Sequence, residues 1–168
     1  MEALARIHTV IPIVSPAVSA TDSRFGTARE HLQRLEQLCG RPPLDTIASV
    51  EPIGPKKLLD ALVIAPCTGN TLAKLSWGIA DTPVTMAAKS HLRNGRPVLI
   101  AVSTNDGLGT AAENIGRLLN RKHFYFVPFS QDAPLLKPRS LVAHFDLLPQ
   151  ALDAALEGRQ LQPLILQK

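Results

Sequence analysis

Residues 97–102 read Pro-Val-Leu-Ile-Ala-Val, an apolar run with no polar residue to give it a wet face. A strand half in water alternates apolar and polar residues. An unbroken run of this kind is a strand covered on both faces, as in a parallel sheet sandwiched between helices. Residues 61–65 repeat the pattern and are closed by Pro66. Both runs are far shorter than the about 20 apolar residues a bilayer requires, so no membrane span is expected.

Between and around these runs the spacing turns helical. Leu32, Leu35 and Leu38 mark a helix over 27–39, stopped by Gly40 and Pro42-Pro43. Residues 55–60 read as a short helix or turn, 68–70 as a polar turn and 71–79 as a helix. Residues 83–93 form another helix ended by Asn94-Gly95, 103–107 a turn, and 110–120 a helix. Strands are expected at 8–14 and 123–129, and a last helix at 141–157 that Pro149 bends or splits. Short buried strands alternating with helices of about ten residues predict one α/β domain over 1–168: three layers, doubly wound, with a mostly parallel sheet.

Composition removes several classes of function. Of 168 residues, 45% are apolar and 19% charged, which excludes a disordered tail. The net charge of +4 is dispersed in pairs such as Lys56-Lys57, Arg93/Arg96 and Arg121-Lys122. With five Phe, one Tyr and one Trp, a base-stacking nucleic-acid surface is not expected. Cys39 and Cys67 supply neither a disulfide framework nor a zinc set, and His8, His31, His91, His123 and His144 show no metal spacing, so no metal is expected. Glu2 and Arg6 with no apolar stretch behind them argue against a secretory leader. A reducing cytoplasm is the expected compartment.

In doubly wound sheets, ligands sit beyond the carboxyl ends of the strands. That rule selects two loops. The first is Ala65-Pro66-Cys67-Thr68-Gly69-Asn70-Thr71, where small residues let a planar ring or phosphate approach the backbone and a helix amino end favours an anion. The same residues would serve as a plain helix cap, with Asn70 capping a helix that starts at Thr71. The second loop is Ser103-Thr104-Asn105-Asp106-Gly107. Its Gly107-x-Gly109-x-x-Ala112, with Asp132 later, imitates a dinucleotide fingerprint, but four polar residues separate the strand from Gly107.

The run Leu62-Val63-Ile64-Ala65-Pro66-Cys67-Thr68-Gly69-Asn70-Thr71-Leu72-Ala73-Lys74-Leu75 resembles the flavin-contacting loop of the homo-oligomeric flavin-containing decarboxylase superfamily. Within it, the chain resembles the family of dipicolinate synthase B subunits. The segments that carry this are Pro12-Ile13-Val14-Ser15, Thr21-Asp22-Ser23-Arg24-Phe25-Gly26, Gly54-Pro55-Lys56-Lys57-Leu58-Leu59-Asp60 and Asp81-Thr82-Pro83-Val84. Further matches are Ser103-Thr104-Asn105-Asp106-Gly107-Leu108-Gly109, Asn114-Ile115-Gly116-Arg117-Leu118-Leu119-Asn120 and the tail from Leu156-Glu157-Gly158 to Gln160-Leu161-Gln162-Pro163.

The resemblance implies a Rossmann-like flavoprotein fold and FMN as cofactor. It also implies a homo-oligomer working beside the dipicolinate synthase A subunit in the mother cell of a sporulating bacterium. The pair would oxidise dihydrodipicolinate, a small dicarboxylate, to dipicolinate. Ser15, Pro66, Cys67, Thr68, Asn70, Thr71, Ser103, Thr104 and Asn105 are the implied FMN contacts.

Two departures qualify it. The decarboxylases carry a His about fourteen residues before the Pro of this loop. Here that position is Pro52, and no His lies between His31 and His91, so cysteine-type decarboxylation is not expected. The family also begins with a strand and a small-residue loop, whereas Met1-Glu2-Ala3-Leu4-Ala5 reads as the end of the helix that follows. That implies a truncated chain or a misplaced start codon, with flavin binding weakened or lost. A non-catalytic assembly subunit without flavin is the alternative reading. Of the remaining residues, Cys39 reads as core, Trp77 as packing or interface, and Lys56-Lys57 as solvated or as an attractor for substrate carboxylates.

Overall fold

Val98, Leu99, Ile100, Ala101 and Val102 are all fully buried in the computed structural model, which describes residues 2–22 and 26–167. Met1 and the Ser23-Arg24-Phe25 portion of the 21–26 motif lie outside the described residues, as does Lys168. In chain order the elements are α1 (Glu2–Ala5), α2 (Pro16–Ala20), α3 (Ala28–Cys39) and α4 (Ile47–Val50), followed by a 3-10 turn (Glu51–Ile53). Next come β1 (Leu62–Cys67), α5 (Gly69–Trp77), α6 (Pro83–Leu92), β2 (Val98–Thr104), α7 (Thr110–Leu119), β3 (Phe124–Phe126) and β4 (Phe129–Gln131). The chain closes with β5 (Leu141–Ala143), a 3-10 turn (Phe145–Leu147) and α8 (Leu148–Leu156).

β2 is the axis of the sheet. On one side it pairs in parallel with β1, Leu62 to Val98 through Ile64 to Ile100. On the other, its first half pairs in parallel with β3, and its last two residues, Ser103 and Thr104, pair antiparallel with β5. β4 extends β5 as an antiparallel neighbour. The sheet is therefore mixed: a parallel trio with an antiparallel hairpin at its carboxyl end.

Strand side chains alternate between faces, and the two faces feed two cores. Leu62, Ile64, Val98, Ile100, Val102, Phe124 and Phe126 pack with Leu72 and Leu75 of α5, Ala87 and Ala88 of α6, and Ile115 and Leu118 of α7. Leu99 and Ala101 face the other way, onto Leu4 of α1 and Leu148, Ala151 and Leu152 of α8. Helices on both faces make the three-layer, doubly wound fold that the apolar runs require.

Helix boundaries follow their caps. Thr27 forms a reciprocal capping box with Glu30, and Gly40 ends α3 at φ 66°, where a side chain would strain the backbone. Thr82 forms a second box with Thr85, with Pro83 just inside α6.

Four expectations are corrected. Residues 8–14 form no strand, because a strand needs a ladder. Among the described residues their regular pairing is one bridge from Ile13 to Leu44, through Val14 N–H to the Leu44 carbonyl at 3.0 Å and Leu44 N–H to the Pro12 carbonyl at 2.8 Å. Residues 123–129 divide into β3 and β4 at Pro128, which has no N–H to continue a ladder. Residues 141–157 are not one helix: 141–143 are β5, and Pro149 lies in the first turn of α8, where its missing N–H costs nothing. Cys39 is only partly buried, and α3 buries no residue fully.

β3 is too short to protect its own outer edge, and a side chain does so. Gln160 accepts from the Phe126 N–H at 2.8 Å and donates to the Phe126 carbonyl at 2.7 Å, standing in for a strand. Phe126 is fully buried, so without this amide both backbone groups lose their partner. Gln160→Ala is expected to lower unfolding free energy by about 1–3 kcal/mol in urea titration; an unchanged midpoint would show that water replaces the amide.

Candidate functional site

β1 and β2 carry polar residues only at their carboxyl ends, and there the two expected loops meet. Between Ile64 and Cys67 the register of β1 slips against β2, two residues, Ala65 and Pro66, opposing the one residue Ala101 in a bulge. A proline is tolerated at such a bulge because no ladder bond is asked of it. Thr68 follows in extended conformation as the N-cap of α5. Its Oγ1 accepts from the Thr71 N–H at 3.4 Å and lies 3.3 Å from the Thr71 hydroxyl.

The cap is therefore Thr68, not Asn70. Asn70 sits in the first helical turn with its side chain exposed and, among the described residues, without a hydrogen bond. The first-turn N–H groups of α5, those of Gly69 and Asn70, have no intrahelical acceptor.

The second loop is partly strand. Ser103 and Thr104 finish β2 opposite Val142 and Leu141. Thr104 Oγ1 accepts from the Asp106 N–H at 3.3 Å, which begins the turn into α7. Asn105 is exposed, and its Oδ1 accepts from the Ser140 hydroxyl at 3.4 Å. The loops touch through Gly69: a Cβ there would lie 3.0 Å from Thr104 Oγ1. Thr68, Asn70, Thr71, Ser103, Thr104 and Asn105 thus border one polar ledge above β1 and β2.

The glycines of the fingerprint-like stretch have packing roles. A Cβ on Gly107 would meet Leu141 at 2.5 Å, and Gly109 leaves room for the Asp106 carboxylate. Gly107 is buried against β5 and does not open a phosphate cradle; Asp132 pairs with Lys137.

Other candidates separate from this ledge. Cys67 turns its side chain into the core and is fully buried, so only its backbone belongs to the loop. Burial pushes its thiol up to about 12, which leaves it protonated at neutral pH. Ser15 is the N-cap of α2 without a side-chain cap bond, and no hydrogen bond among the described residues ties it to either loop. Lys56 and Lys57 are exposed at the amino end of β1, where Arg96 donates to the Lys57 and Leu59 carbonyls, so they stand at the far end of the sheet. Trp77 is 62% exposed, with the Arg117 guanidinium 4.2 Å from its ring. Lys74 of α5 holds Asp81 through both carboxylate oxygens, and that hydrogen bond is the main cause of its lowered pKa. Among the described residues no cluster of His, Cys, Asp or Glu could hold a metal ion.

Sequence reading missed Ser140 and Leu141, which support Asn105 and Gly107 from 35 residues away in the case of Ser140. The only available signal was Gly107 itself, a residue that allows close approach without naming what approaches.

Comparison with known proteins gives concordant results. The family model described as Flavoprotein matches residues 17–133. The dipicolinate synthase B subunit of Bacillus subtilis (strain 168) is 47% identical over 158 residues, covering 94% of this chain and 79% of that protein. The crystal structure of the dipicolinate synthase B subunit from Bacillus halodurans C superposes with a TM-score of 0.91 at 45% identity, covering 99% of this chain and 86% of the other. The FMN-dependent cysteine decarboxylase SpaF superposes at 0.57 with 23% identity over 77% of this chain and 73% of its own, which shows a shared fold alone.

Cys67 offers a direct check on the geometry. With its thiol held near pH 12 and out of solvent, iodoacetamide at pH 8 is expected to label Cys39 in the native protein and Cys67 only after denaturation. Rapid native labelling of Cys67, read by peptide mass spectrometry, would place its thiol on the ledge instead.

Proposed function

The chain belongs to the Flavoprotein family, among the dipicolinate synthase B subunits, and from that premise we propose that it is the flavin-binding partner of the A subunit in oxidising dihydrodipicolinate to dipicolinate. The observation that carries this reading is the polar ledge where Gly69 meets Thr104. The residues there fit FMN chemically. Gly69 lets the two loops close up on each other, the amino end of α5 favours a phosphate or an electron-rich ring edge, and Asn70 keeps a free donor and acceptor.

Forming the aromatic pyridine ring removes two hydrogens from the dihydro compound, formally a hydride and a proton. Bound FMN would supply the hydride acceptor, with the protein contributing binding and orientation. Asn70 and Asn105 would hydrogen-bond the flavin, with Thr68, Thr71, Ser103 and Thr104 completing the wall and Pro66 closing the bulge beneath it. Cys67 would contribute its backbone, since its thiol is neutral and enclosed.

The setting this reading implies is the mother-cell cytoplasm; no helix among the described residues is long and apolar enough to cross a membrane. β1 is one edge of the sheet among the described residues, and open edges favour association. A homo-oligomer at micromolar concentration is expected in sedimentation velocity, and a strictly monomeric profile would contradict it.

The test combines the purified chain with FMN, dihydrodipicolinate and the A subunit. Dipicolinate formation above that of the A subunit on its own supports the reading, and no gain contradicts it. A colourless chain that binds the A subunit without binding FMN would establish the assembly role instead. Asn70→Asp isolates the flavin contact. Thr68 is the cap, so melting should stay near that of the parent, while FMN affinity falls about tenfold or more as an amide donor becomes a carboxylate. An unchanged FMN titration would remove Asn70 from the site.

A further inference from the structure

At the end of the sheet opposite the ledge, the carboxyl ends of α5 and α6 and the start of β3 enclose an open groove of about 380 Å³. Leu75, Leu92 and Phe124 make its floor apolar, and Lys89, Arg93 and Arg121 stand around it with no carboxylate in the lining. Arg121 has an internal role, donating to the Leu75 and Ser76 carbonyls at 3.2 and 2.7 Å at the end of α5. Lys89 and Arg93 have none. Both are exposed and, among the described residues, neither meets an acceptor, whereas Lys74, Arg96 and Arg117 each pair with a carboxylate.

Lys89 and Arg93 lie four residues apart at the end of one helix, a spacing at which like charges repel. The carboxyl end of α6 favours a nearby cation, but that preference does not require three around one groove. Glu51 lines an adjoining hollow that shares Lys89 and Arg93, yet it pairs with neither. The apolar surface continues past the groove. Ile79 on its rim is 48% exposed, and Trp77, two residues earlier, carries Arg117 stacked on its indole. Exposed Trp and Arg beside an apolar pocket are the residues that most often anchor protein interfaces.

We propose that this corner is the docking surface for the A subunit, which would enter the groove with a segment presenting carboxylates beside a large apolar side chain. The proposal rests on the reading of the chain as a B subunit that works with an A subunit. Charge complementarity argues for an acidic segment as the occupant. A basic segment would be repelled, and a second copy meeting the corner about a two-fold axis would set Lys89 and Arg93 against themselves.

The test measures, by calorimetry, how tightly the full chain binds the purified A subunit. Lys89→Glu/Arg93→Glu should weaken binding about tenfold or more, and Trp77→Ala should weaken it too, with melting and FMN titration unchanged. The neutral pair Lys89→Gln/Arg93→Gln guards against a folding defect and should give an intermediate loss. Parent binding should also fall as salt rises, since rim charges are screened. Arg159→Glu, in an ion pair elsewhere on the surface, should leave binding intact. Parent-like binding by the double variants overturns the proposal while leaving the function standing. Absence of binding by the parent overturns both. Loss of self-association, with affinity for the A subunit retained, would assign the corner to a second copy and overturn the proposal.

Discussion

Everything in this fold is arranged around the burial of one strand. Val98 through Val102 of β2 are fully buried, and Val98 to Ile100 are paired with β1 on one side and β3 on the other, so no part of that stretch faces water. Such a strand cannot exist in a two-layer sheet. It demands helices above and below, and α5, α6 and α7 on one side with α1 and α8 on the other provide them. The same demand positions the chemistry. Polar side chains can enter β2 only where burial relaxes, at Ser103 and Thr104, and that point adjoins the bulge that ends β1.

The ledge is consequently stiffer than a pair of surface loops. Thr68 closes α5 from below, Gly69 rests on Thr104, and the second loop is clamped from behind by Leu141 against Gly107 and Ser140 against Asn105. Side chains used for packing point inward, as Cys67 does. Those with free hydrogen-bonding capacity, Asn70 above all, point outward. This division between packing groups and exposed polar groups is what the proposed binding site requires.

Legibility in the sequence followed the range of the interactions involved. The two apolar runs, the Thr82-Pro83 start of α6 and the Gly40 stop of α3 are set by neighbours within a few residues, and each was readable. The strand expected at 8–14 failed because β propensity does not supply a ladder partner. The helix expected at 141–157 failed because β5 forms through pairing with Ser103 and Thr104 of β2 and with Phe129–Gln131 of β4, partners that local periodicity does not reveal. At the proposed site, strand-end position in the sequence located the two loops that adjoin at Gly69 and Thr104. The identity of the cap was not legible: Thr68 and Asn70 both suit the role chemically, and only the start of α5 at Gly69 decides between them. The basic groove was invisible because it gathers residues 75 to 124 that share no motif.

The central claim is that FMN binds on the ledge formed by the carboxyl ends of β1 and β2. Amide-resolved NMR of the labelled chain titrated with FMN addresses it directly. Saturable shifts are expected at Gly69, Asn70, Thr71 and residues 103–106, with the amides of residues 89–93 and 121–124 unmoved. Saturable shifts confined to another surface, or none up to millimolar FMN, would contradict it.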